Sequence, residues 1–260
     1  MLNYKALSIT IGATILSTLA TEAYAGTFYV STSNGQVGAI DDTTGTYTQI
    51  LSSPTFTDIA LDTNNNLFGI TFNTLYSVNV DNSSTTQIGG LGTTLNALGF
   101  SDDNTLYGVG GNRFYSIDVN TGNASLVSSI SGFSSSGDIV FDAANDVFWG
   151  TSSGDSLWSI TRDGVGSFVG NIGFSSVYGI SFGDDGTLYG YTSDRRQLAI
   201  DTTTGNGNYI RNISGVTGSI WGAASDPEAT ASTPEPTLGL VVGLVIGALS
   251  LRCKCKQIAP

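Results

Sequence analysis

Ile180-Ser181-Phe182-Gly183-Asp184-Asp185-Gly186-Thr187-Leu188-Tyr189-Gly190-Tyr191 reads as strand, turn, strand. Ile180 and Phe182 flank Ser181, an alternation that buries one face of a strand. Gly183 to Gly186 supplies residues that tolerate the left-handed backbone of a tight turn. The second strand then opens with Leu188-Tyr189-Gly190-Tyr191. The same pair recurs upstream. First strands appear at Ile59-Ala60-Leu61, Leu98-Gly99-Phe100 and Ile139-Val140-Phe141. Second strands appear at Thr27-Phe28-Tyr29-Val30, Leu67-Phe68-Gly69-Ile70, Leu106-Tyr107-Gly108-Val109 and Val147-Phe148-Trp149-Gly150.

Two further strands complete each unit. A third carries Leu75-Tyr76-Ser77-Val78, Phe114-Tyr115-Ser116-Ile117 and Leu157-Trp158-Ser159-Ile160. It often ends in an Asp-x-x-Thr-Gly turn: Asp41 to Gly45, Asp118 to Gly122, Asp201 to Gly205. A fourth falls near Tyr47 to Ile50, Gln87-Ile88, Ser125 to Val127, Ser167 to Val169 and Tyr209-Ile210. Phe28, Leu67, Leu106, Val147 and Leu188 are spaced by about 39, 39, 41 and 41, and a period near forty with four short strands per unit is the signature of a β-propeller. The first unit lacks its opening strand, and a spare one, Ile220-Trp221-Gly222-Ala223-Ala224, follows the last. Docking it beside Phe28 to Ser31 closes a ring of five blades and protects the edges of an open sheet. The expectation is therefore an all-β, five-bladed propeller over residues 26–226, with an open β-solenoid or a sandwich as alternatives.

Composition narrows the chemistry. The chain has no histidine, nine Lys and Arg against twenty-one Asp and Glu, and a formal net charge of −12. Its two cysteines, Cys253 and Cys255, and all lysines except Lys5 lie beyond the repeats. Within the repeats the bases are Arg113, Arg162, Arg195, Arg196 and Arg211. A Ser-His-Asp triad, a thiol nucleophile and a zinc site of the usual kind are excluded there. Nucleic acid is not an expected partner, because phosphate binding needs clustered Lys and Arg. Without disulfides in the body, the core alone must hold the fold, and about two hundred residues suffice.

The first strand of each propeller blade lines the central channel. Counting back three residues from its aligned apolar position gives Asp58, Ala97, Asp138, Gly179 and Trp221, the last on the assumption that Ala224 matches Phe182. Two carboxylates and an indole would then ring one mouth, a set suited to carbohydrate or to a cation. Asp58, Asp138 and Trp221 are the candidate ligand-binding residues. The enzymatic alternative is a glycoside hydrolase with Asp58 and Asp138 as its opposed carboxylates. No metal site is expected. Calcium on the Asp-rich turns is a further option, but Asp62, Asp102, Asp103, Asp142, Asp184 and Asp185 sit where hairpin turns want Asp anyway. No turn has the spacing of an EF-hand loop. Tyr76, Tyr115 and Trp158 recur at equivalent places and are expected to pack between blades. Trp221, Tyr178 and Tyr191 are less repetitive and suit a surface role. Arg195 and Arg196 are the only adjacent bases of the body and offset Asp194.

The two ends carry targeting signals. Lys5, an apolar run from Ala6 to Leu19 and Ala23-Tyr24-Ala25 form a secretory signal peptide over residues 1–25, cleaved after Ala25. At the other end, Thr233-Pro234-Glu235-Pro236-Thr237 closes a linker over residues 227–237. An uncharged apolar run follows at 238–251, then a tail over residues 252–260 with Arg252, Lys254 and Lys256. Positive charge directly after an apolar run keeps that end cytoplasmic. The run is about 21 Å long as a helix, short against a hydrocarbon core near 30 Å, and suits temporary retention better than permanent anchoring. Gly239, Gly243 and Gly247 would give it one smooth face.

Pro234-Glu235-Pro236, the apolar run and Arg252 together resemble the PEP-CTERM sorting signal of Gram-negative bacteria with exopolysaccharide-producing envelopes. That resemblance covers about a tenth of the chain. It implies processing by an exosortase-type enzyme, with inner-membrane retention followed by display at the cell surface or in the extracellular matrix. Together with the missing catalytic side chains, it suggests a non-catalytic binding module without a cofactor, for exopolysaccharide or another envelope component. The alternatives are the hydrolase and a protein–protein scaffold.

Overall fold

Twenty strands group into five antiparallel sheets of four in the computed structural model, which describes residues 27–225. The expected signal peptide, the Pro-Glu-Pro motif, the apolar run and the basic tail lie outside the described residues. The first blade contains β1 (Thr27–Thr32), β2 (Gln36–Asp41) and β3 (Tyr47–Ser52). The second contains β4 (Asp58–Leu61), β5 (Leu67–Ile70), β6 (Thr74–Asn79) and β7 (Ser84–Gly90). The third contains β8 (Ala97–Phe100), β9 (Leu106–Gly110), β10 (Arg113–Ile117) and β11 (Ala124–Ser129). The fourth contains β12 (Ser135–Asp142), β13 (Val147–Ser152), β14 (Ser156–Thr161) and β15 (Gly166–Asn171). The fifth contains β16 (Val177–Phe182), β17 (Leu188–Thr192), β18 (Arg196–Ile200) and β19 (Gly207–Asn212).

The ring closes as the spare strand requires. β20 (Ile220–Ala224) pairs antiparallel with β1, with Val30 opposite Ala223 and Ser31 opposite Gly222. The last strand of the propeller thus completes the first blade, and the two ends of the ring are held in one sheet.

The core is divided among the seams. Five buried apolar clusters each join neighbouring blades: Ile70 and Leu75 of the second blade pack with Leu98 and Tyr115 of the third, and Tyr191 of the fifth packs with Val30 and Ile40 of the first. Burying a side chain such as Ile or Leu contributes roughly 1.5–3 kcal/mol, and β4, β8, β12 and β16, buried on both faces along most of their length, repeat that gain around the ring. Tyr76, Tyr115 and Trp158 all pack at these seams, as their periodic placement predicts. Tyr191 does not reach the surface: its side chain is buried, and that burial pushes its hydroxyl far above the ordinary tyrosine range.

One register differs from the reading by periodicity. Gly150 pairs with Ile139 as Gly69 pairs with Ile59 and Gly190 with Ile180, so Phe148, not Val147, takes the place of Leu67. The turn between β12 and β13 absorbs the offset.

Candidate functional site at the channel mouth

Each inner strand starts at one end of the channel and descends into it. At that end the structure brings together Thr57, Asn96, Gly137, Tyr178 and Trp221, one residue from each blade, around a cavity of about 260 Å³. Phe72, in the turn between β5 and β6, and Ser136 complete its lining. Phe72 is 53% exposed, whereas Tyr178 and Trp221 are half-buried. No lining residue is charged. Asn96 donates its side-chain Nδ2–H to the Ser135 carbonyl at 3.3 Å, which fixes the amide in the wall. Thr57 is held by its N–H and its hydroxyl, both donated to the Ile70 carbonyl at 2.8 and 3.2 Å.

Gly137 is required by close approach. A Cβ there would lie 2.2 Å from the Tyr178 carbonyl oxygen and 2.6 Å from its Cα. The missing side chain lets the fourth and fifth blades come together and places Tyr178 at the rim.

The mouth corrects the expected ring of Asp58, Asp138 and Trp221. The Asp138 Oδ2 accepts the N–H of Ile180 at 2.8 Å and that of Ala223 at 3.0 Å, which puts Ala223 level with Ile180. Ser225, not Ala224, therefore matches Phe182. Trp221 belongs to the rim layer, and Gly222 stands level with Asp58, Ala97, Asp138 and Gly179. The two carboxylates lie one layer below the indole.

Asp58 and Asp138 are both fully buried. Asp58 Oδ1 accepts the N–H of Ile59 at 2.8 Å, and its Oδ2 accepts that of Leu98 at 2.6 Å. The two carboxyl groups meet at the same stretch of β20: a Cβ on Gly222 would stand 2.2 Å from Asp58 Oδ1, and the next N–H, that of Ala223, is the one donated to Asp138 Oδ2. Burial pushes both well above the usual carboxylate range, and for Asp58 the neighbouring carboxylate adds to the effect. Gly222, lacking a side chain, makes room for the pair.

The acidic turns are occupied by their own chain. Asp62 accepts the N–H groups of Asn64 and Asn66 and the Asn66 side-chain amide. Asp142 accepts from Ala144, Asn145 and the Trp149 indole N–H. Among the described residues, no group of three or more Asp, Glu, Cys or His is placed to hold a metal ion. Arg196 pairs with Asp194 at 2.6 Å, while Arg195 donates to the Val216 carbonyl at 3.3 Å.

Thr57, Phe72, Asn96, Ser136 and Gly137 were not singled out in the sequence. Stepping one residue back from the Asp58 position in every blade finds four of the five rim residues without the structure. The fifth, Trp221, needs the correct register of β20.

No family model and no curated protein matches the chain. Solved structures do. A structural-genomics protein from Bacteroides thetaiotaomicron VPI-5482 superposes with a TM-score of 0.55 at 16% identity, covering 78% of this chain and 61% of that one. A chain of a nidogen/laminin complex superposes with a TM-score of 0.52 at 11% identity, covering 77% of this chain and 97% of that one. The chain thus spans about three-fifths of the length of the first of these. At such identities the likeness is one of fold, and it places this chain among the β-propellers.

Proposed function

We propose that this chain is an exported propeller that binds a neutral glycan of the exopolysaccharide or envelope at its channel mouth, without catalysis. The observation that carries the reading is the uncharged cavity with Trp221, Tyr178 and Phe72 in its lining. Aromatic faces stack on the apolar face of a sugar ring, and the Asn96, Ser136 and Thr57 groups suit its hydroxyls. The cavity is on the scale of a sugar ring and is open to solvent at the mouth. The surrounding chain is strongly acidic, which disfavours uronic-acid polymers by like-charge repulsion. A hydrolytic role for Asp58 and Asp138 has less support, because both carboxyls are fully buried and already accept main-chain N–H groups.

Sorting through Pro234, Glu235, Pro236 and Arg252, with an exosortase-type enzyme as processing partner and prior cleavage at Ala23-Tyr24-Ala25, accounts for delivery to the surface or matrix. The scaffold reading is the second class, and the same experiment separates it. The purified full chain is titrated with a neutral and a uronic-acid-bearing polysaccharide, and released reducing ends are assayed in both mixtures. The expected result is saturable binding of the neutral polymer, at least tenfold weaker in Trp221→Ala, with no new ends. New reducing ends would make the protein a hydrolase. Absence of binding to both polymers would sink the glycan reading in favour of a protein partner.

A further inference from the structure

The two buried aspartates do more than fill the channel. Together they reach every inner strand of the ring. Asp58 stands on β4 and binds the N–H of Leu98 on β8; Asp138 stands on β12 and binds those of Ile180 on β16 and Ala223 on β20. Ile180 and Ala223 are each two residues beyond a rim aromatic, Tyr178 and Trp221. One oxygen is left over. Asp138 Oδ1 is buried and no donor meets it in hydrogen-bond geometry, while the Asp58 carboxyl lies against the adjoining Gly222.

An orphan carboxylate oxygen facing a second carboxylate is costly in both respects: it lacks a donor, and it adds like charge in a low-dielectric site. A single proton removes both costs. We propose that Asp58 and Asp138 hold one proton between them on the propeller axis, the Asp58 carboxyl O–H donating to Asp138 Oδ1, and that this bond positions the strands carrying Tyr178 and Trp221. Asp58 can donate its proton while its oxygens still accept Ile59 and Leu98, because a carboxylic acid keeps acceptor capacity. Asp138 remains the ionised partner, with its Oδ2 on two amides.

The surroundings offer no other counter-charge. β8 and β20 carry no titratable side chain, and β4 carries Asp58 alone. β16 contributes Tyr178 at the rim. β12 ends in Asp142, which is tied to Asn145 and Trp149 at the opposite end of the channel. The Arg162 guanidinium lies at that same end, 4.4 Å from the Phe141 ring centroid. The proton is therefore the charge that the pair can recruit. Burial of both carboxyls acts in the same direction.

Stability then depends on pH with a definite sign. A carboxyl whose folded pKa is raised stabilises the fold fully below its unfolded value, 3.8, and loses that contribution as pH rises through the folded value. Asp138→Asn tests the geometry, since its Oδ1 position becomes an amide that donates to Asp58 without any proton being bound, while its remaining oxygen still accepts Ile180 and Ala223.

The decisive measurement is the infrared C=O stretch of an un-ionised carboxylic acid in the full chain at about pH 7, where free aspartate is ionised. It is expected in the native protein and absent from Asp138→Asn. In parallel, the folding equilibrium constant of the native chain should fall by about tenfold or more from about pH 5 to about pH 8, and that of Asp138→Asn should not. No acid band in the native chain, or an unchanged slope in Asp138→Asn, would overturn the proposal. The consequence for the mouth rests on the glycan reading: Asp138→Ala should weaken binding of the neutral polysaccharide, and Asp138→Asn should retain it. A native chain that shows the acid band but binds no polysaccharide would uphold the proton and count against the glycan reading alone.

Discussion

Gly122, the last residue of the third blade's Asp-x-x-Thr-Gly turn, lies directly against Gly89 in the outer strand of the second blade. A Cβ on Gly89 would stand 2.0 Å from the Thr121 carbonyl oxygen, and one on Gly122 2.8 Å from that of Gly89. The arrangement repeats between the fourth and fifth blades, where a Cβ on Gly170 would stand 1.9 Å from the Thr204 carbonyl oxygen. In the first blade the turn instead meets the fifth: Ser214 donates its N–H to the Gly45 carbonyl at 3.0 Å. The turn motif is thus an inter-blade joint as well as a hairpin. Its Asp fixes the loop, with Asp201 accepting the N–H groups of Thr203 and Thr204, and its glycine takes the positive φ that the turn needs.

Two adjacent glycines in β7 separate the joint from ordinary strand chemistry. Gly89 has a main-chain oxygen in the way, whereas the nearest atom to a Cβ on Gly90 is 3.9 Å off. Gly89→Ala should lower stability by about 1–3 kcal/mol through overpacking. Gly90→Ala should be neutral or stabilising by about 0.4–1 kcal/mol, because it restricts the unfolded chain without a clash. Urea unfolding of both variants checks this, and equal effects would show that the second and third blades do not depend on this contact.

Arg162 forms a second joint. Its guanidinium pairs with Asp102, with Asp103 at 3.3 Å and with Asp146 at 2.6 Å, and covers the Phe141 ring. Asp102 and Asp103 belong to the third blade, and Asp146 to the fourth. Because these groups are partly exposed, solvent screening limits their worth, and Arg162→Ala should cost about 1–2 kcal/mol. For a domain of this size that corresponds to a melting temperature lower by about 2–8 °C. Arg162→Lys should recover a minor part, since a point charge cannot serve three carboxylates and a ring with one planar fork. The loss should shrink in high salt. A melting temperature unchanged in Arg162→Ala at low salt would mean that the network adds nothing.

The blades were legible because their signals are local. Alternation in Ile180-Ser181-Phe182 and the turn residues after it are visible in a few residues, their recurrence gives the repeat length, and ring closure follows from one spare strand. The mouth was less legible because its register depends on β20. Ala223, Ala224 and Ser225 are all small, so nothing in their size says which of them matches Phe182. An error of one residue moved Trp221 down a layer. Asp58 and Asp138 were found but set at the rim, since a carboxylate in a strand suggests solvent when no base is near. Their partners are main-chain N–H groups, which leave no mark in a sequence.

The exposed turn carboxylates give the opposite pH limb from the buried pair. Main-chain N–H groups hold Asp41, Asp118 and Asp201 below the ordinary carboxylate value of 3.8. A carboxyl whose folded pKa is lowered stabilises the fold above 3.8, and that contribution disappears as pH falls through the folded value. Asp103, held down first by the Ser101 hydroxyl and helped by Arg162, behaves in the same way. Acid unfolding should therefore set in below about pH 4. Replacing Asp41, Asp118 and Asp201 together by Asn keeps an oxygen for the turn N–H groups and removes the titration. That triple variant should show a shallower loss of stability between about pH 4 and about pH 2, with its slope above about pH 5 unchanged. Thermal melts across both ranges check the separation. A triple variant that also lost its high-pH slope would mean that the turns, not the axial aspartates, govern that limb.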